Sequence, residues 1–301
     1  MKTPTSVLVI LDKPKHEQSA LVEAKALLSK HPDAHLRLVS FVWHAMAEQK
    51  NIYDAHQRRA IKKEIVRSRE VWLRDLIRDE GLSAASISIE VVWTDDISGW
   101  VAANSDDADL VIKSVHKSKT LLHTPLDWEL IRTSPPPLLL VGGWKGKRRK
   151  KKAKAENDVI ATIDLRNEDR KHRTLNLKVL DAAARFAEIR GGRLHCVAVV
   201  EYSEVLSDLE MIDPRKVRKE AVAASSDFLE ALIQPYDIAR TRVHRPAGKV
   251  GHMVAATVRK TGAGLVVVGS AARRGLGATL LGNSAEKILE RSPCDLLVVH
   301  P

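Results

Sequence analysis

Short apolar runs alternate along this chain with longer stretches whose apolar residues recur every three or four positions, and the alternation occurs twice. The first half opens with the apolar run Val7 to Leu11 followed by Asp12; the second opens with Val159 to Ile163 followed by Asp164. Each run reads as a strand that ends in a carboxylate and leads into an amphipathic helix. Ala20, Ala24 and Leu27 fall on one helical face, as do Leu180, Ala184 and Ala187. The next strands are expected at Leu36 to Val42 and Arg193 to Val200. Long helices should follow, burying Ile61, Ile65, Trp72 and Leu76 in the first half and Val222, Ser225, Leu229 and Leu232 in the second. Further strand pairs are ISIEVVW (87–93) with IARTRVH (238–244), DLVIK from Asp109 with GLVVVG from Gly264, and Leu138 to Val141 with Leu296 to Val299. Residues 203–214 read as a loop or short helix.

Short strands alternating with helices predict parallel sheets covered on both faces, joined by right-handed crossovers. The repeat offset of roughly 155 residues is too long for a solenoid and marks a duplicated domain. The expected division is a first domain over 1–142, a linker over 143–157 and a second domain over 158–301. A chain of 301 residues is long enough for two such cores.

Charge changes this picture in one place. The chain carries 49 Lys and Arg against 38 Asp and Glu, and eight of the basic residues lie in the ten-residue run Lys145 to Lys154. Without that run the excess falls from eleven to three, so the basic character belongs to a linker and not to the folded halves. The run offers electrostatic contact to RNA, DNA, acidic protein or anionic lipid, and it equally suits a solvated tether. It contains no aromatic residue, so it has no stacking platform of its own for single-stranded nucleic acid. The two cysteines, Cys196 and Cys294, lack metal or redox spacing and read as reduced core residues. The amino terminus has no signal-peptide pattern, and no apolar stretch reaches 18 residues, so the cytoplasm is the expected compartment.

Candidate chemistry concentrates in VVVGSAARRGLGATLLGNSAEKIL, residues 266–289. Here a strand delivers Gly269, glycines permit a close turn, and Gly282-Asn283-Ser284 precedes a helix. Exposed backbone N–H groups and a helix start can surround phosphate oxygens, with Asn283 as the cap and Glu286 at the third helical position. Asp164, at the end of a neighbouring strand, can reach the same cleft and accept from a nucleotide sugar or base. The twelve histidines are scattered, with no HExxH helix and no serine nucleophile elbow, and the loop lacks the Gly-Lys-Ser/Thr of a Walker A motif.

These segments carry a resemblance. VIATIDLRNEDRKH, the glycine loop and SPCDLLVVHP in the second half, with VLVILDKP, VVW, DLVIKSVHK and TPLDWELI in the first, resemble a tandem universal stress protein, nearest to the E-type branch. The likeness covers nearly the whole chain except the basic linker. It implies an α/β fold of two tandem universal-stress-protein-like domains, each a five-stranded parallel sheet of order 3-2-1-4-5 in a three-layer α/β/α arrangement. Some members of that family bind ATP and others do not. The family's nucleotide motif, Gly-x-x-Gly, nine residues, then Gly-Ser or Gly-Thr, maps its first glycine onto Gly269 and its third onto Gly282, followed by Asn283 and Ser284. Its second glycine is replaced by Ala272. The implied site is Gly269, Ala271, Ala272, Gly282, Asn283 and Ser284 for phosphate and Asp164 for the nucleoside, with ATP or a related nucleotide as ligand and Mg accompanying ATP. In the first half Ser114 stands in Gly269's place and His123-Thr124-Pro125 in that of the later motif. Pro125 has no amide donor, so a phosphate cradle is not expected there.

Two function classes stay open. One is a stress-response protein that binds a nucleotide through its second half and alters contacts with protein partners, as a monomer or an oligomer. The other is a ligand-free structural or regulatory adaptor with a polyanion-contacting linker. A dedicated enzyme is not expected; weak ATP hydrolysis accompanying binding is compatible with either the loop or its resemblance.

Overall fold

The structure is a computed structural model that describes residues 2–115, 125–142, 153–270 and 283–301. The chain divides into two compact units, one made of Pro4–Val115 and Pro125–Val141 and the other containing the elements from residue 153 onward.

The first unit runs β1 (Ser6–Leu11), α1 (Ser19–Lys30), β2 (His35–Val42), α2 (Ala55–Asp79), β3 (Ile87–Trp93), α3 (Ile97–Asn104), β4 (Leu110–Ser114), α4 (Pro125–Thr133) and β5 (Leu138–Val141). Its strands lie in the order β3-β2-β1-β4-β5, every pair parallel. All five residues of β4 and all four of β5 are buried, as expected of strands covered on both faces. Ala20, Leu21, Ala24 and Leu27 form the buried stripe of α1. The long α2 starts at a capping box, in which the Gln57 N–H donates to Asp54 Oδ1 and the Asp54 N–H donates to Gln57 Oε1. Its packing corrects the sequence expectation: Leu73 is its fully buried side chain, and Ile61, Ile65, Trp72 and Leu76 are half-buried. This helix covers β2 and the outer strand β3, whose residues are themselves only partly covered.

The second unit runs β6 (Val159–Thr162), α5 (Arg170–Arg190), β7 (Leu194–Val197), α6 (Glu204–Asp208), α7 (Pro214–Ala224), α8 (Ser226–Ile233), β8 (Val243–His244), α9 (Val250–Thr261), β9 (Leu265–Gly269), α10 (Asn283–Leu289) and β10 (Asp295–Val299). Its strand order, β10-β9-β6-β7-β8, is the same 3-2-1-4-5 pattern and again parallel throughout. Helix α5 ends at Gly191, whose φ of 65° is the left-handed cap glycine supplies at little cost. It buries Val179, Leu180, Ala183, Phe186 and Ala187, while Ala184 is half-buried.

Three expectations need correction in this unit. The long helix expected through Val222 to Leu232 is two helices, α7 and α8, parted at Ser225. The Ser225 hydroxyl donates to the Ala221 carbonyl at 2.6 Å, and Arg245 donates to the Ala221 and Val222 carbonyls and to Ser225 Oγ. These bonds compete for the carbonyls at the end of α7, where the Ser225 N–H donation to Ala221 has lengthened to 3.3 Å. The strand expected over 238–244 shrinks to Val243–His244, because residues 240–242 turn as a 3-10 helix. The strand expected over 193–200 ends at Val197, with a single further bridge from Val200 to Ala247. Residues 203–214 contain the short helix α6. Both cysteines are free and buried, and burial pushes the Cys196 thiol up to about 12. Among the described residues no helix is long and apolar enough to cross a membrane.

Candidate functional site

A cleft of about 170 Å³ opens in the second unit, where the carboxyl ends of β6, β7 and β9 meet α5, α9 and α10. A single water needs about 10–15 Å³, so the space admits a small organic ligand. Leu175, Val179, Val197, Val250, Val254, Val268 and Ile288 supply apolar wall; Asp164, Arg166, Asn176, Glu201 and Ser284 supply polar groups. Three of the residues singled out from sequence, Asp164, Gly269 and Ser284, line this one cleft although more than 100 residues separate the first from the others. Asn283 is the first residue of α10, with Glu286 in the first turn. Ala271, Ala272 and Gly282 lie outside the described residues, as do residues 145–152 of the basic run.

Asp164 is fixed at both backbone and side chain. Its N–H donates to Asn176 Oδ1 at 3.1 Å, and Asn176 Nδ2 donates back to its carbonyl at 2.7 Å. Asn176 is thus a side-chain clasp between α5 and the end of β6. The carboxylate is gripped by Arg166: Nε donates to Oδ1 at 2.9 Å, Nη2 to Oδ2 at 2.6 Å, and the Arg166 backbone N–H to Oδ1 at 3.0 Å. Arg166 Nη1 also donates to Glu201 Oε2 at 2.6 Å. Burial opposes ionisation of Asp164, but the Arg166 guanidinium and backbone N–H outweigh it and hold the carboxyl below its usual range. At the start of α5, Asp169 accepts from the Lys171 and His172 N–H groups and contacts His172 Nδ1 at 2.7 Å.

Gly269 is required by packing. A β-carbon there would stand 2.7 Å from Leu175 Cγ, so the absence of a side chain lets α5 close over the end of β9. Sequence reasoning had not selected Arg166, Asn176 or Glu201. Arg166 lies two residues after the carboxylate it grips, a signal that charge spacing alone could have supplied; Asn176 and Glu201 join the cleft only through helix and strand packing.

At the corresponding strand end of the first unit the polar side chains are engaged by neighbouring helices. Ser114, in Gly269's place, is 1% exposed, and the Ala20 N–H donates to its Oγ at 2.9 Å. Beside it the buried Lys113 Nζ donates to Asp127 Oδ1 at 2.7 Å and to the Ser114 carbonyl at 2.8 Å. Pro125 begins α4. The side chains that occupy this end are bonded to their own unit's helices.

His195 and His244, for which the sequence gives no catalytic role, form a pair outside the cleft lining, with Nδ1 and Nε2 at 3.1 Å and the rings stacked. Asp158 lies 3.5 Å from His195 Nε2 and is itself held by Arg193. Burial pushes both imidazoles below their ordinary value.

Fold and cleft together define a tandem α/β protein with a ligand-sized cavity at the carboxyl edge of its second parallel sheet. Residues 173–300 match the model described as the Universal stress protein family. The matched segment includes Gly269 and Ser284 and begins after Asp164. Over 98% of its length the chain is 27% identical to Universal stress protein E of Salmonella typhi and 25% identical to Universal stress protein E of Escherichia coli K12, covering 94% of each. Among solved structures, a putative universal stress protein of Pseudomonas aeruginosa UCBPP-PA14 is similar with a TM-score of 0.66 at 23% identity, covering 99% of this chain and 94% of that one. A universal stress protein of Archaeoglobus fulgidus is similar with a TM-score of 0.61 at 16% identity, covering 98% of each chain.

Proposed function

We propose that this chain is an E-type tandem universal stress protein of the cytoplasm that binds ATP or a related nucleotide through its second domain and thereby alters its contacts with protein partners. The proposed domains are 1–142 and 158–301, joined by a basic linker over 143–157. One observation carries the reading: Asp164, Gly269 and Ser284 converge on a single cleft of apolar wall and polar rim. The chemistry of the cleft fits a nucleotide. Valine and leucine side chains suit a base, a carboxylate accepts from hydroxyl or amino groups, and the Ser284 hydroxyl can donate to phosphate. The phosphate set is Gly269, Ala271, Ala272, Gly282, Asn283 and Ser284. Mg accompanying ATP would be carried by the phosphates and water, as this ion commonly is, since Asp164 and Glu201 are both held by Arg166.

Calorimetry of the full chain with ATP tests the assignment. Asp164→Ala should weaken nucleoside recognition and Gly282→Val should obstruct the phosphate end, whereas Ser114→Val should leave binding unchanged. Binding indifferent to both second-domain substitutions would reject the site. A second reading, a ligand-free adaptor, draws on a different feature: Val205, Leu206, Leu209 and Met211 are exposed in one short segment, and apolar clusters of this kind mark contact surfaces. Loss of these side chains that abolishes partner capture in a chain that binds no nucleotide would favour it.

A further inference from the structure

Arg166 stands at the cleft with its side chain 53% exposed, yet three of its guanidinium N–H groups are committed to two carboxylates. Asp164 closes one strand end and Glu201 follows the neighbouring one, and both line the cleft. Their side chains are 33% and 25% exposed, so a ligand entering the cleft meets acceptors that already have a donor. The grip on Asp164 is bidentate and charge-assisted, and such bonds are about twice as strong as neutral ones. A neutral nucleoside can offer Asp164 only hydroxyl or amino donors. Taking Arg166's place, it would exchange charge-assisted bonds for neutral ones and leave the guanidinium to water alone. A ligand that also carries phosphate supplies a new anion for the same guanidinium, whose fork matches phosphate oxygens as well as carboxylate ones.

We propose that Arg166 is an internal occupant of the cleft that makes it select anionic nucleotides over neutral nucleosides: it holds Asp164 and Glu201 until a ligand phosphate takes its guanidinium in exchange. The inference rests on the nucleotide reading above and adds a residue that sets ligand class. Arg166 acts as a specificity determinant, and its half-exposed side chain can turn from one partner to the other.

The test is calorimetry of the full-length protein with ATP and with adenosine, for the wild type, Arg166→Gln and Arg166→Lys. The wild type should prefer ATP. In Arg166→Gln the preference should shrink about tenfold, with adenosine binding tighter and ATP weaker, since the competitor and the phosphate partner disappear together. Arg166→Lys keeps the charge without the two-point grip and should fall between. A purely structural role would weaken both ligands alike. Adenosine that weakens in Arg166→Gln, or an ATP preference that does not change, overturns the inference and leaves the nucleotide reading standing. Absence of binding by all three proteins sinks the nucleotide reading and this inference with it.

Discussion

The ends of β4 and β9 occupy equivalent places in two related units, and they differ in what their side chains bond to. At β9 the chain ends in Gly269, Leu175 lies over it, and a cleft remains beside Asp164. At β4 the chain ends in Ser114, whose hydroxyl accepts from the first turn of α1, and Lys113 beneath it is paired with Asp127. One strand end keeps its polar groups turned toward a cavity; the other uses them on its own helices. A duplicated fold can therefore retain strand order in both copies while a few side chains decide how the polar groups at each strand end are used.

Substitutions can break this contrast. The largest effect should come from Lys113→Ala, which leaves Asp127 a buried charge without this partner. Truncating one member of such a pair costs about 3–5 kcal/mol, so chemical denaturation should show early unfolding of the first unit, with second-unit probes little affected. Next is Gly269→Ser, which gives β9 the residue found at the end of β4. The added β-carbon must displace Leu175, at a cost of about 1–3 kcal/mol for overpacking, and ATP binding measured by calorimetry should fall. Retention of wild-type affinity in Gly269→Ser would mean that the glycine serves α5 packing alone. Loss of the Asn176 clasp ranks close behind: Asn176→Ala leaves the part-buried Asp164 N–H and carbonyl without these partners, at about 1 kcal/mol. Amide exchange at Asp164 should accelerate. Ser114→Ala should cost about 1 kcal/mol, since the Ala20 N–H loses its acceptor, and a double-mutant cycle with Lys113→Ala would show whether the two fillings of that strand end act together.

The shallowest contrast is set by pH. His195 and His244 in the second unit have folded pKa values below their unfolded one, so the unfolded chain binds more protons as pH falls below about 6.5, and stability declines from there toward the folded values. Asp158 and Asp164 act in the same direction lower down. Their folded pKa values lie below the unfolded value near 3.9, so the stability they contribute is present above that pH and is lost as pH falls through the folded values. Thermal melts between pH 7 and pH 3 should show the second unit losing stability from about pH 6.5, and His244→Gln should flatten that first decline. A second unit whose melting is flat from pH 7 to pH 5 would contradict the buried histidine pair.

The sequence by itself determined the duplication, the parallel class of both sheets and the placement of their inner strands. Val7 to Leu11, Leu138 to Val141 and the run before Gly269 are short, continuous and apolar, and such runs have few alternatives to a strand covered on both faces. It also put Asp164, Gly269 and Ser284 forward together, because strand-end carboxylates and glycines carry local signals. It read the outer elements poorly. Residues 238–244 and the break at Ser225 depended on Arg242 and Arg245 finding carbonyls elsewhere in the unit, and the buried side of α2 depended on how much of β3 it covers. Glu201 and Asn176 became cleft residues for the same reason, whereas Arg166 lies two residues from the carboxylate it grips. A polar side chain declares its chemistry in the sequence but not its partner, and only tertiary packing brings the partner within 3 Å.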